Sequence, residues 1–268
     1  MTDCQSLCKV LKKSVYSDRV RVSSDSINSA DLFHSHDFMQ IFAPSSIDIT
    51  APSTNSLRIL ALGDSIVYGF GDPVGGGWVE RLRRQWMSPG GTNHALYNLG
   101  VRGDGVRQVA RRLEDEFRHR GELRNRVPDL IILSVGVNDT PRLSRPDGKN
   151  LLPFEGFEIG IADLLDRALR LCPVLFVGMI PVDEAKMPFL DCMYYNHADQ
   201  IRYNEAIRSA CEARQIPHLN LLEIWRSRGL DWCQEQLTED GLHPNVSGYQ
   251  ALLEDISRWD AFRQWIEP

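Results

Sequence analysis

An open, doubly wound α/β domain is the fold class that this 268-residue sequence predicts. Two observations carry the prediction: apolar runs of strand length recur between residues 57 and 221, and amphipathic stripes of helical period separate them. Strands alternating with helices of this length build a mostly parallel sheet covered by helices on both faces.

The elements follow in order. Leu57–Leu62 is a buried strand by its length and apolarity, and it runs into Gly63-Asp64-Ser65. His94–Leu99 is a second strand, ending at Gly100, and Leu130–Val135 is a third. Val174–Ile180 reads as a fourth and His218–Leu221 as a short fifth. Between them, Val106, Val109, Ala110, Leu113 and Phe117 recur at helical spacing among Arg and Glu. Phe157, Ile161, Leu164, Leu165, Ala168 and Leu171 do the same, as do Ile201, Ile207, Ala210 and Cys211. A last stripe, Tyr249, Leu252, Leu253 and Ile256, closes the chain, and Trp78 and Trp86 read as core residues of the first helix.

Residues 1–56 differ. They hold twelve serines and no glycine, show no sustained period, and end in a linker-like Pro/Ser/Thr/Asn stretch. The expectation is a weakly ordered extension ahead of one domain over residues 57–268, with Met39 offering an internal start. His34, His36 and Asp37 in this segment are not read as a metal site, and Cys4 and Cys8 have no second pair to complete one.

A net charge of -6 and a pI near 5.7 give no electrostatic reason to expect nucleic acid as a partner. No apolar stretch approaches the roughly 20 residues of a membrane span, and no signal peptide is seen. The six scattered cysteines read as reduced thiols, so the expected location is cytoplasmic. No cofactor or metal is expected: the Lys-Ser/Thr of a P-loop, Gly-x-Gly-x-x-Gly and His-Glu-x-x-His are all missing.

In sheets of this kind ligands bind outside the carboxyl ends of the strands, so the polar residues there carry the functional reading. Strand one ends at Ser65, strand two leads into Gly100-Val101-Arg102-Gly103-Asp104, and strand three leads into Gly136-Val137-Asn138-Asp139. The loop before the last helix carries Asp240-Gly241-Leu242-His243-Pro244. A carboxylate three residues ahead of an imidazole can orient it as a general base, and a base of that kind activates a serine. Of the seven histidines, only His243 has both a carboxylate at that spacing and a following proline. The reading is therefore Ser65 as nucleophile, His243 as base and Asp240 as its orienting acid. The backbone N–H groups of Ser65 and Gly103 and the side-chain amide of Asn138 would form an oxyanion hole. Asp64 is expected to brace its loop through backbone hydrogen bonds.

Any one of these residues could be an ordinary turn or cap, but four such accidents on one sheet edge are hard to reach by chance. Together, Gly63-Asp64-Ser65-Ile66, Asn98–Asp104, Gly136–Asp139 and Asp240–Pro244 resemble the blocks of the SGNH hydrolases, the GDSL-type esterases and lipases. The resemblance covers roughly residues 57–265. It implies a flavodoxin-like α/β/α sandwich with a five-stranded sheet. It also implies metal-free hydrolysis of small acyl esters or thioesters through an acyl-enzyme. One departure concerns the pocket: Arg102 stands where the family carries a small serine, and it either contacts an anionic substrate or faces solvent. The same residues would serve an acyltransferase with an alcohol acceptor, and a non-catalytic binding module is the third reading. Loops 70–77, 140–153 and 181–196 are expected to wall the pocket. Met179, Met187, Phe189, Met193, Tyr194 and Tyr195 favour an apolar acyl group.

Overall fold

The computed structural model describes residues 56–120 and 126–266. The readings made on Cys4, Cys8, His34, His36, Asp37 and Met39, and on the order of the first 55 residues, lie outside them. The strands among the described residues are β1 (Arg58–Gly63), β2 (Ala95–Gly100), β3 (Leu130–Ser134), β4 (Arg142–Leu143), β5 (Val174–Val177), β6 (Met193–Tyr194) and β7 (His218–Leu219). The helices are α1 (Ser65–Tyr68), α2 (Gly77–Trp86), α3 (Val106–His119), α4 (Phe154–Leu169) and α5 (His197–Glu212). They continue with α6 (Leu221–Ser227), α7 (Leu230–Glu235), α8 (Val246–Arg258) and α9 (Asp260–Ile266).

Five strands form one sheet in the order β2-β1-β3-β5-β7, and every pair in it is parallel. Every residue of β1 and β3 is buried, as central parallel strands covered on both faces require. β2 lies on one side of β1, whereas β3, β5 and β7 follow on the other. Right-handed crossovers therefore place α2 on one face of the sheet and α3, α4 and α5 on the opposite face. The packing agrees: α3, α4 and α5 contact one another in sequence, while α8 packs on α2 and α9 on α8. The change of direction falls between β1 and β3, which makes their carboxyl ends the topological switch point.

The expected stripes bury as expected in α3 and α8. In α4 the first five residues of its stripe are buried, while Leu171 lies beyond the helix. Trp78 and Trp86 are core residues.

Four local expectations need correction. The fourth strand stops at Val177 rather than Ile180. Beyond it the Gln200 side chain takes the backbone groups a neighbouring strand would, donating to Ile180 O (3.0 Å) and accepting from Val182 N (3.1 Å). The fifth strand ends at Leu219 because Asn220 caps α6. Ile201 is 44% exposed. The buried side of α5 is instead built from Gln200, Tyr203, Asn204, Ile207 and Cys211, with the Tyr203 hydroxyl donating to Leu152 O at 2.6 Å. Finally, α9 follows the helix expected to close the chain.

β4 and β6, unanticipated, pair antiparallel with Arg142 opposite Tyr194 and Leu143 opposite Met193. This two-residue ladder ties the loop after β3 to the loop after β5.

Candidate active site

The three strands that carry the first blocks end level. Gly63 stands opposite Gly100 of β2 and Ser134 of β3. A Cβ on Gly63 would lie 2.0 Å from the Ser134 carbonyl oxygen, so glycine is what allows β1 and β3 to approach here. Each chain then leaves the sheet in its own turn, and the turns meet.

After β1 the chain enters the one-turn helix α1. Asp64 caps it, its carboxylate accepting from Ile66 N at 2.9 Å, which is the bracing role read from the sequence. Burial pushes the Asp64 carboxyl up to about 7, against the pull of the Ile66 N–H. Ser65 takes the first helical position, where helix geometry leaves an N–H without an intrahelical acceptor.

After β2, Asp104 N donates to Val101 O at 3.1 Å, closing a turn with Arg102 and Gly103 at its centre. Gly103 has φ +84°, the value a type II turn demands at its third residue and one that L side chains resist. Arg112 of α3 fastens this turn to the sheet, donating to the Asp104 carboxylate (2.8 Å) and to Gly63 O (2.9 Å).

After β3, Val137–Asp139 forms a single 3-10 turn. Asn138 Nδ2 donates to Asp104 O at 3.0 Å, linking the second and third turns. The Asp139 carboxylate accepts from Val106 N, the first residue of α3, at 3.0 Å. Burial pushes the Asp139 carboxyl up to about 7 as well, with the nearby Asp64 charge adding to the rise.

The loop before α8 brings in the last two residues. His243 Nε2 lies 2.8 Å from Ser65 Oγ, and His243 Nδ1 lies 2.7 Å from Asp240 Oδ2. A carboxylate can only accept, so Nδ1 carries the proton and Nε2 is free to accept from the serine hydroxyl. The other oxygen, Asp240 Oδ1, accepts from Thr238 Oγ1 (2.7 Å), Leu242 N (2.9 Å) and His243 N (3.0 Å). Burial alone would raise the Asp240 pKa. The hydrogen bonds from His243, Thr238 and Leu242 outweigh it and hold the carboxyl well below the usual range. Ser65 and His243 are both buried, at 4% and 3% exposure.

Residues 61–251 match the family model of the GDSL-like lipases and acylhydrolases. The chain belongs to this family. Members hydrolyse ester bonds, and this GDSL-like protein is an ester hydrolase. None of the curated proteins matches it significantly. Solved structures share its fold. A lipase/acylhydrolase from Enterococcus faecalis is 22% identical at a TM-score of 0.60, covering 75% of this chain and 94% of that one. The psychrotrophic esterase EstA from Pseudoalteromonas sp. is 17% identical with a TM-score of 0.57, over 80% and 100% of the two chains. A catalytic mutant of an acetylxylan esterase from Geobacillus stearothermophilus is 15% identical with a TM-score of 0.58, over 76% and 94%.

Other residues of this GDSL-like hydrolase, most of them outside the four blocks, surround the site. The Phe70 ring meets His243 edge-on at 4.6 Å, and Phe189 lies 5.9 Å from it. Phe70 is held by Tyr249, whose hydroxyl donates to Phe70 O at 2.9 Å. Arg102 is exposed, and its guanidinium lies 3.8 Å above the Phe70 ring. Of the apolar residues expected near the third loop, Met179, Met193 and Tyr195 are buried and Met187, Phe189 and Tyr194 half-buried; Phe189 joins Phe70 beside the imidazole. Among the described residues no group of three or more His, Cys, Asp or Glu is placed to hold a metal ion. No described helix is long and apolar enough to cross a membrane.

Sequence reasoning missed Thr238, placed Phe70 only within a loop expected to wall the pocket, and counted Tyr195 only in an apolar cluster. A hydroxyl two residues ahead of Asp240 was a readable signal for Thr238. Nothing in the local pattern marks the ring of Phe70 as a neighbour of His243 or the hydroxyl of Tyr195 as a hydrogen-bonding group.

Proposed function

We propose that the protein cleaves carboxylic esters, and thioesters by the same chemistry, through a covalent acyl-enzyme on Ser65. The observation that carries this reading is the continuous chain from Ser65 Oγ through His243 to Asp240, at 2.8 and 2.7 Å. Ser65 Oγ attacks the acyl carbon as its proton passes to His243 Nε2. The carbonyl oxygen becomes an oxyanion facing the N–H groups of Ser65 and Gly103 and the second amide N–H of Asn138. Collapse of the tetrahedral species breaks the bond to the alcohol, which leaves with the proton from His243. Water then gives a proton to His243 and attacks the acyl-enzyme. The acid departs, and the proton returns to Ser65 Oγ. Asp240 keeps the imidazole in the tautomer that both half-reactions need and balances its positive charge. Phe70 and Phe189, flanking the imidazole, suit an ester with an apolar group near the scissile bond.

Ser65→Ala removes the nucleophile. Hydrolysis of a short-chain p-nitrophenyl ester should fall by about a thousandfold or more, with the melting temperature little changed. Activity equal to wild type would dismiss Ser65 as nucleophile.

A further inference from the structure

Asn138 is the one member of the proposed oxyanion hole that is a side chain, so something must hold its amide in the productive orientation. Its partners identify what does. Nδ2 donates one N–H to Asp104 O at 3.0 Å, and that carbonyl can only accept. The amide nitrogen therefore points to the Gly103–Asp104 turn and Oδ1 points away from it. Oδ1 can only accept in turn, and the group facing it is the Tyr195 hydroxyl at 3.4 Å.

Tyr195 is well suited to hold that place. It is 3% exposed, and its ring packs edge-on against Phe189 at 6.1 Å. Burial, reinforced by the Asp64, Asp139 and Asp240 carboxylates, pushes its phenol pKa up, so the hydroxyl keeps its proton. The backbone on either side is pinned. Ahead of it, β6 pairs with β4, which begins three residues after the turn that carries Asn138. Behind it, Asn196 caps α5 by accepting from Asp199 N at 2.8 Å, and Arg142 of β4 grips the Asp199 carboxylate at 2.6 and 3.0 Å. The β4–β6 ladder thus fixes the spacing between the Asn138 turn and Tyr195.

We infer that Tyr195 is a positioning residue for the oxyanion hole: its hydroxyl orients the Asn138 amide so that the second N–H of Nδ2 faces the developing oxyanion. The inference rests on the proposed role of Asn138. At 3.4 Å the hydrogen bond is long, as such bonds often are without substrate, and it should shorten as the amide is drawn to the oxyanion. Tyr195 acts through the Asn138 amide, so its effect appears in turnover rather than in binding.

The test is a double-mutant cycle of Tyr195→Phe and Asn138→Ala on the full chain, with kcat and KM measured on a short-chain p-nitrophenyl ester. Tyr195→Phe deletes one oxygen and leaves the ring against Phe189, and a melting curve checks the fold. Asn138→Ala should lower kcat about 100- to 1000-fold. Tyr195→Phe should lower kcat about tenfold with KM within about twofold, the effect of one hydrogen bond of ordinary strength. In the Asn138→Ala background the tyrosine change should have no further effect. If Asn138→Ala is severe while Tyr195→Phe keeps wild-type kcat, the positioning role is overturned and the oxyanion hole stands. Full multiplication of the two losses, or a change in KM alone, overturns it equally. A harmless Asn138→Ala removes the oxyanion role of Asn138, and the role of Tyr195 with it.

Discussion

Replacing Asp240 by asparagine changes one atom of the site, and the structure dictates how the new side chain must sit. Asp240 Oδ1 accepts from Thr238 Oγ1, Leu242 N and His243 N. An amide NH2 at that position would face the Leu242 and His243 N–H groups, which can only donate, so the asparagine oxygen must take it. The NH2 is then forced into the Oδ2 position, 2.7 Å from His243 Nδ1. There it donates to Nδ1 and drives the imidazole proton onto Nε2. Nε2 now donates toward Ser65 Oγ when it should accept. The geometry survives while the base is lost, and the expected drop in kcat is about ten-thousandfold, roughly 5 kcal/mol of transition-state stabilisation. The assay is steady-state hydrolysis of a short-chain p-nitrophenyl ester near neutral pH, with fluorophosphonate labelling of Ser65 alongside. Both rates should fall together, with KM and the melting temperature nearly unchanged. A variant retaining more than about a tenth of wild-type kcat would refute the tautomer argument.

Two further predictions concern the scaffold. Asp139 is raised from 3.8 to about 7 in the fold by burial, so the native state holds its proton more tightly than the unfolded chain does. The stability this contributes is complete below about pH 4 and is lost as pH rises toward about 7. Asparagine mimics the protonated acid, so the melting temperature of Asp139→Asn relative to wild type should climb between pH 4 and pH 7. A flat difference would show that Asp139 does not titrate in that window. Asp72, buried in the loop after α1, accepts from Gly75 N (2.7 Å), Gly77 N (3.1 Å) and Arg81 Nε (2.7 Å). Asp72→Ala strands these donors and should cost about 3 kcal/mol in urea denaturation. The hydrogen bonds from Arg81 and the loop N–H groups outweigh burial and lower the Asp72 pKa, so this cost is present above the ordinary carboxylate range and shrinks as pH falls through the folded value. A loss below about 1 kcal/mol near neutral pH would contradict the network.

Much of the fold was legible because parallel strands covered on both faces must be continuously apolar. Leu57–Leu62 and Leu130–Val135 announce themselves for that reason. The helical stripes of α3 and α8 were equally plain. Ile201 misled because Gln200 and Tyr203, polar residues whose hydrogen bonds are satisfied inside, took the buried side of α5. The β4–β6 ladder, two residues per strand, is too short to show any period. Of the proposed site residues, Ser65, Gly103 and Asn138 were readable from the turns that follow apolar strands, and Asp240 and His243 from their spacing in the loop before α8. Thr238 had only its nearness to Asp240 to mark it.

By itself the sequence determined the kinds of group on the candidate edge that the strands supply, because Ser65, Gly103 and Asn138 each follow closely on the end of an apolar run. It also determined the local pairing of Asp240 with His243, three residues apart on one loop. Only the tertiary structure decided that Ser65 and His243, 178 residues apart, meet at 2.8 Å. It likewise set Phe70 beside the imidazole and Tyr195 against Asn138. The physical reason is one of range. Backbone periodicity and short loops constrain neighbours along the chain, whereas contacts across turns depend on the level strand ends at Gly63, Gly100 and Ser134 and on the ladder that holds two loops together.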